Sequence, residues 1–110
     1  MLNLSAAVLY QAARAPTQEA ILYGDDRISY GDLADCIRRT GGGLTARGIA
    51  PGQVVALLMK NSPAFLELSL GISHIGAVML PINFRLAVEE VRHIVRDSGA
   101  ALLIADEEFG

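Results

Sequence analysis

An α/β fold is what this sequence predicts: an N-terminal helix and a short β-hairpin, then an αβαβαβ unit with three parallel strands. Three observations carry that reading. Residues 77–82 and 101–105 are short, nearly unbroken apolar runs, and they flank a stretch (87–98) with helical spacing of Val88, Val91, Ile94 and Val95, which is the pattern of a βαβ step. A third apolar run, residues 54–59, has the β-branched bias of a buried strand. Finally, 52% of the chain is hydrophobic and only 19% charged, whereas an average soluble domain is roughly 25% charged. A small domain has proportionally more surface and should be more polar. The excess therefore reads as surface to be buried against further protein, with an unusually apolar small domain as the alternative.

Each element has its own local justification. Residues 4–14 place Leu4, Ala7, Val8 and Ala12 on one stripe and Arg14 in the last turn before Pro16, the mark of a short helix that anchors on a larger body. Ala20 to Tyr23 and Arg27 to Ser29 flank Gly24-Asp25-Asp26, residues that tolerate the positive φ of a tight hairpin turn. Ser29, followed three residues later by Asp32, opens the next helix as a variant capping box, and that helix runs to about Arg47 with Leu33, Ile37 and Leu44 inward. Gly41-Gly42-Gly43 interrupts it. A phosphate-cradling loop would follow a strand and carry Lys and Ser or Thr after its last glycine, so these glycines read as helix packing or a kink. Ser62 and Pro63 form an N-cap and first helical residue, and the helix they open ends near Gly76 with apolar residues on nearly every side. The last helix has Glu89 and Glu90 at its positive end and stops at Ser98-Gly99. This divides the chain into an N-terminal helix (1–16), a hairpin (17–30) and an α/β unit (31–110).

Composition limits the function. The net charge of −3 provides no basic field for nucleic acid. The apolar region between Phe65 and Ile82 is broken by Glu67, Gly71, His74, Gly76 and Pro81, so no membrane span is expected. The single Cys36 excludes an internal disulfide and suits a cytoplasmic compartment. No cluster has metal-ligand spacing.

Ligands of open parallel sheets gather beyond the carboxyl ends of the strands, here Lys60-Asn61-Ser62, Asn83-Phe84-Arg85 and Asp106-Glu107-Glu108. Arg85 could clamp a phosphate or carboxylate bidentately, against a structural ion pair to Glu89 or Glu90. Lys60 reads as a solvated lysine in competition with an anion site. His74 reads as a core histidine and His93 as a surface one, while Cys36 has no base near it in sequence and reads as a small helix residue.

RISYGDLADCIRRTGGGL, GIAPGQVVALLMKNSPAFLELSLGISHIGAVMLPINFRL and EEVRHIVRDSGAALLIAD, in that order, resemble the N-terminal part of the adenylate-forming (AMP-binding) acyl-CoA synthetases. The resemblance runs from about Thr17 to Asp106, and the Pro81-Ile82-Asn83-Phe84-Arg85-Leu86 segment is most similar to fatty-acyl and related carboxylate CoA ligases. It implies a parent that uses ATP, Mg²⁺ and CoA to activate a carboxylic acid as its acyl-adenylate and transfer it to the CoA thiol. It also implies a fragment, inactive alone and without a cofactor of its own. The family's phosphate loop and the C-terminal lysine for adenylation are not in these 110 residues. Arg85, and Asn83 beside it, match a motif whose arginine lies near CoA in some relatives. The expected partners are the remainder of the ligase or a second copy docked through apolar surface. The alternative is a non-catalytic α/β interaction or binding module.

Overall fold

The computed structural model describes residues 4–23 and 25–106. Its elements follow in the order α1 (Leu4–Arg14), β1 (Glu19–Tyr23), β2 (Asp26–Ser29), α2 (Tyr30–Ala46), β3 (Val54–Leu58), α3 (Pro63–His74), β4 (Val78–Pro81), α4 (Val88–Ser98) and β5 (Leu102–Ala105). β1 and β2 pair antiparallel, and β4-β3-β5 form a parallel sheet with β3 in the middle. The expected αβαβαβ unit is therefore present with its three parallel strands. Among the described residues no non-glycine has positive φ, so Asp25 does not supply that conformation at the hairpin turn; Gly24 lies outside the described residues.

Helix boundaries follow their caps. Ser29 Oγ accepts from Asp32 N–H at 3.2 Å and Ser62 Oγ from Phe65 N–H at 3.1 Å, with Pro63 opening α3 where its missing N–H costs nothing. At α4 the cap is one-sided: Glu90 Oε1 accepts from Ala87 N–H at 3.2 Å, and an alanine has nothing to return. Gly99 closes α4 in the left-handed conformation, φ 66°.

Side chains alternate across the sheet. Val55 and Leu57 join Leu44, Ile49 and Ile72 in a core covered by α2 and α3, whereas Ala56 and Leu58 join Ile82 on the face covered by α4. The second face is only partly covered. Val88, expected to turn inward, is 68% exposed and Leu103 is 40% exposed, because a single helix spans a face made by three strands. An apolar groove of about 740 Å³ remains between α4 and β5, lined by Leu58, Val91, Val95, Ala100 and Leu103, with Val88 at its rim.

α1 lies on the chain itself, for Leu33, Ile37 and Leu70 of α2 and α3 form a core that Val8 and the hairpin residues Ala20, Ile21 and Ile28 pack against. Of the expected stripe Ala12 is buried, but Ala7 is exposed and Ser5, outside the stripe, is buried.

α2 and α3 cross at their smallest residues. A Cβ added at Gly71 would lie 2.4 Å from Thr40 Cγ2, and one at Gly41 would lie 3.0 Å from Ile75 Cγ2; at Gly42 and Gly43 it would meet nothing within 4 Å. Packing thus accounts for one glycine of the three-residue run. Gly71→Ala should destabilise the chain by about 1–3 kcal/mol through overpacking, whereas Gly42→Ala should stabilise it by about 1 kcal/mol through helix propensity. Urea unfolding reads both, and a Gly71→Ala midpoint equal to that of the wild type would show that the helices separate freely.

Candidate functional site

Parallel strands send all their carboxyl ends to one edge, and here the three ends are tied together. Ile82 N–H donates to Leu57 O at 2.8 Å and Asp106 N–H to Leu58 O at 3.2 Å. Lys60 N–H donates to Asp106 Oδ2 at 3.1 Å, which joins the loop after β3 to the end of β5. Glu107 and Glu108, the rest of that third strand end, lie outside the described residues.

The turn after β4 is fixed from within. Asn83 Oδ1 accepts from Arg85 N–H at 2.9 Å, an Asx turn in which the side chain replaces a backbone acceptor. Phe84 is half-buried against the core of Ala56, Leu58 and Ile82, so one edge of its ring is held by the protein interior. Lys60 Nζ and Arg85 Cζ each stand 5.6 Å from the Phe84 ring centroid, within cation–π range. Residues from the loops after β3 and β4 therefore meet on one aromatic ring. Sequence reasoning placed Arg85 and Asn83 at a strand end but gave Phe84 no role, and only the strand order brings Lys60 to the same ring.

The structural competitor for Arg85 is not realised. Glu89 Oε1 takes Arg92 Nη1 at 3.2 Å, and Glu90 is engaged with the Ala87 N–H. Arg85 is exposed and makes no ion pair with a described carboxylate. A guanidinium in that position can receive an anion without first breaking a salt bridge.

Other candidates disperse. His74 is exposed rather than in the core: Ile72, two residues earlier, points to the opposite side of α3, and the imidazole lies beside Gly41. His93 is on the wet face as expected, with Nε2 3.1 Å from Asp97 Oδ2. Among the described residues no group of His, Cys, Asp and Glu could hold a metal ion, and no helix is long and apolar enough to cross a membrane. Cys36 sits between α2 and α3, where burial first, and then the hydrogen bond and negative charge of Glu67, push its thiol pKa up; Arg39 opposes the shift.

Residues 8–109 match the family described as AMP-binding enzyme. Over 98 residues the chain is 40% identical to a feruloyl-CoA synthase from an Amycolatopsis species, covering 89% of this chain and 20% of that protein. It is 46% identical over 80 residues to a long-chain-fatty-acid–CoA ligase of Mycobacterium tuberculosis, covering 73% of this chain and 16% of the relative. Among solved structures, the N-terminal domain of FACL13 from Mycobacterium tuberculosis superposes with a TM-score of 0.88 at 39% identity, over 96% of this chain and 27% of that one. The chain spans about a fifth of the length of these curated relatives.

A raised thiol pKa means less thiolate at a given pH, and the thiolate is the nucleophile. Cys36 should react with iodoacetamide more slowly than free cysteine at pH 8, and Glu67→Gln should speed it while leaving it slower than the free amino acid, since burial persists. Alkylation as fast as free cysteine in the wild type would contradict that environment.

Proposed function

The chain belongs to the AMP-binding enzyme family, and on that footing we propose that it is a partial N-terminal subdomain, residues 1–110, of a cytoplasmic ATP-dependent acid–CoA ligase. The substrate is a carboxylic acid, a fatty acid being the preferred reading. The carboxylate attacks the α-phosphorus of ATP to give an acyl-adenylate and pyrophosphate, and the CoA thiol then displaces AMP to give the thioester. Mg²⁺ would offset the charge of the triphosphate. None of the described residues fits a metal site, so none is assigned to it.

This chain's share is positional. Its central strand and capped helices hold one loop edge rigid, and on that edge Arg85, with Asn83 setting its turn, contacts CoA. The observation that carries the assignment is the exposed guanidinium of Arg85, resting on Phe84 while Glu89 and Glu90 are engaged elsewhere. The groove between α4 and β5 is covered by the remainder of the ligase, or, when the chain is alone, by a second copy.

Among the described residues nothing cradles a triphosphate: the Gly41-Gly42-Gly43 run is the interior of α2. The purified chain should therefore release no pyrophosphate from ATP and a fatty acid, and measurable release would overturn the assignment of that chemistry to the rest of the ligase. CoA should bind weakly, and Arg85→Gln should weaken it about tenfold, the loss expected for one hydrogen bond to a charged group. An NMR titration unchanged by that substitution would remove Arg85 from the CoA site.

A further inference from the structure

We propose that the outer edge of β5 is a pairing surface for a second copy of this chain, joined to it antiparallel about a two-fold axis. The inference rests on the reading that a second copy covers the groove beside β5 when the chain is alone, and adds which strand pairs, in which direction and why. The two edges of the parallel sheet differ. On β4, Val78 N–H and Ile82 N–H both donate to β3, so by alternation Met79 and Pro81 face outward, and a proline has no N–H to offer a further strand. β4 is thus a blunted edge. β5 has no proline and no charged side chain in Leu102–Ala105, and among the described residues no strand lies on its outer side. Apolar grooves flank that open edge, one of about 740 Å³ towards α4 and one of about 490 Å³ towards α2.

Charge selects the occupant and its direction. Among the described residues the charged side chains lining the two grooves are all arginines, Arg39 and Arg47 on the α2 side and Arg92 and Arg96 on the α4 side. Arg92 is paired with Glu89 and Arg39 Nε donates to Asp35 O at 3.4 Å, whereas Arg47 and Arg96 make no ion pair with a described carboxylate. Both belong to the amino end of β5, because α2 leads into β3 and α4 into β5, and each helix finishes where those parallel strands begin. Asp97, next to Arg96 in the chain, is turned to His93 at 3.1 Å. The carboxyl end of β5 leads instead into Asp106, with Glu107 and Glu108 following and, by connectivity alone, within about 7 Å of it. Lys60 and Arg85 stand at this end too, but on Phe84, which follows β4. A parallel neighbour would set acid beside acid. An antiparallel copy sets Asp106-Glu107-Glu108 of each chain beside Arg47 and Arg96 of the other, and the two-fold axis makes every such contact twice. That axis stands perpendicular to the sheet, so the α4 faces adjoin and Leu103, 40% exposed, gains apolar cover. Each copy carries a net charge of −3, and the resulting long-range repulsion opposes pairing and keeps the dimer weak.

The test is sedimentation equilibrium of the 110-residue chain, joined to amide exchange followed as a function of concentration. It compares the wild type with Arg47→Glu/Arg96→Glu, with Glu107→Arg/Glu108→Arg, and with all four substitutions together. Thermal melts confirm that each variant is folded; where a reversal does not fold, Arg47→Gln/Arg96→Gln replaces it and should weaken the dimer by a smaller factor. The wild type should show a monomer–dimer equilibrium in which the amides of residues 102–105 gain protection as the dimer forms. Each double reversal should weaken the dimer about tenfold or more, since exposed ion pairs are individually weak but each is lost twice. Glu107→Arg/Glu108→Arg brings the net charge nearer zero, so a loss there cannot come from long-range repulsion. The four substitutions together should restore the wild-type affinity, which association through apolar surface alone would not require. Protection confined to α4 would keep a second copy in the groove and overturn only the strand pairing. A dimer indifferent to every charge variant, with β5 amides exchanging as freely as in the monomer, would place the contact elsewhere and sink both. A chain that stays monomeric at every concentration would also overturn the pairing and leave the edge to the remainder of the ligase, with family membership and the role of Arg85 untouched.

Discussion

A strand buried on both faces needs two covers, and the arrangement of this chain follows from giving them to β3. Val55, Ala56 and Leu57 are fully removed from water, so the central strand can neither be an edge nor lie under a single layer. β4 and β5 satisfy its backbone on either side, while α3 and α4 lie on opposite faces. Each connection is a crossover helix, and this is what makes the strands parallel and collects their carboxyl ends on one edge. Rigidity of the loops at that edge is thus a by-product of burying the strand at the centre.

The two covers are unequal, and the inequality separates the structural face from the accommodating one. On one face α2 backs α3, and the glycine-mediated crossing draws them together so that Ile72 is fully enclosed. On the other, α4 stands alone over three strands and leaves valine and leucine surface in the groove beside β5. A chain that is a fifth as long as its relatives and carries an unfinished layer on one side is consistent with a layer completed by further protein. The polar edge does not depend on that completion, because its hydrogen bonds close within residues 57–106.

Local signals were legible in the sequence wherever their physics was local. Ser62-Pro63, Ser29 and Gly99 mark helix ends because a cap involves residues a few positions apart. Apolar runs marked the strands for the same reason. Misreadings arose where a partner distant in the chain decided the outcome. His74 is flanked by isoleucines, yet the helical turn puts it and Ile72 on opposite sides; Ser5 is polar yet buried under a close helix contact; Val88 fits the apolar stripe of α4 yet has no neighbour to cover it. Phe84 escaped notice as part of the site because Lys60, 24 positions earlier, reaches it only through the β4-β3-β5 strand order. The meeting of Cys36 and Glu67 is equally a product of tertiary packing.

The glycine run inside α2 has a consequence for how the molecule breathes. Leu33, Ala34 and Ile37 clamp the first half of the helix and Leu44 docks its far end, but between them Gly42 and Gly43 contribute no side-chain contact and the highest backbone entropy. α2 is therefore two anchored pieces joined by a soft link, and its amide protons should not share one protection level. Those around the link exchange by brief local opening, while those of the first half wait for the core of Leu33, Ile37 and Leu70 to come apart. A hinge of this kind lets the last turn of α2, beyond Gly43, adjust to whatever packs beside β5 without disturbing the helix crossing of Thr40 and Gly41 on Gly71.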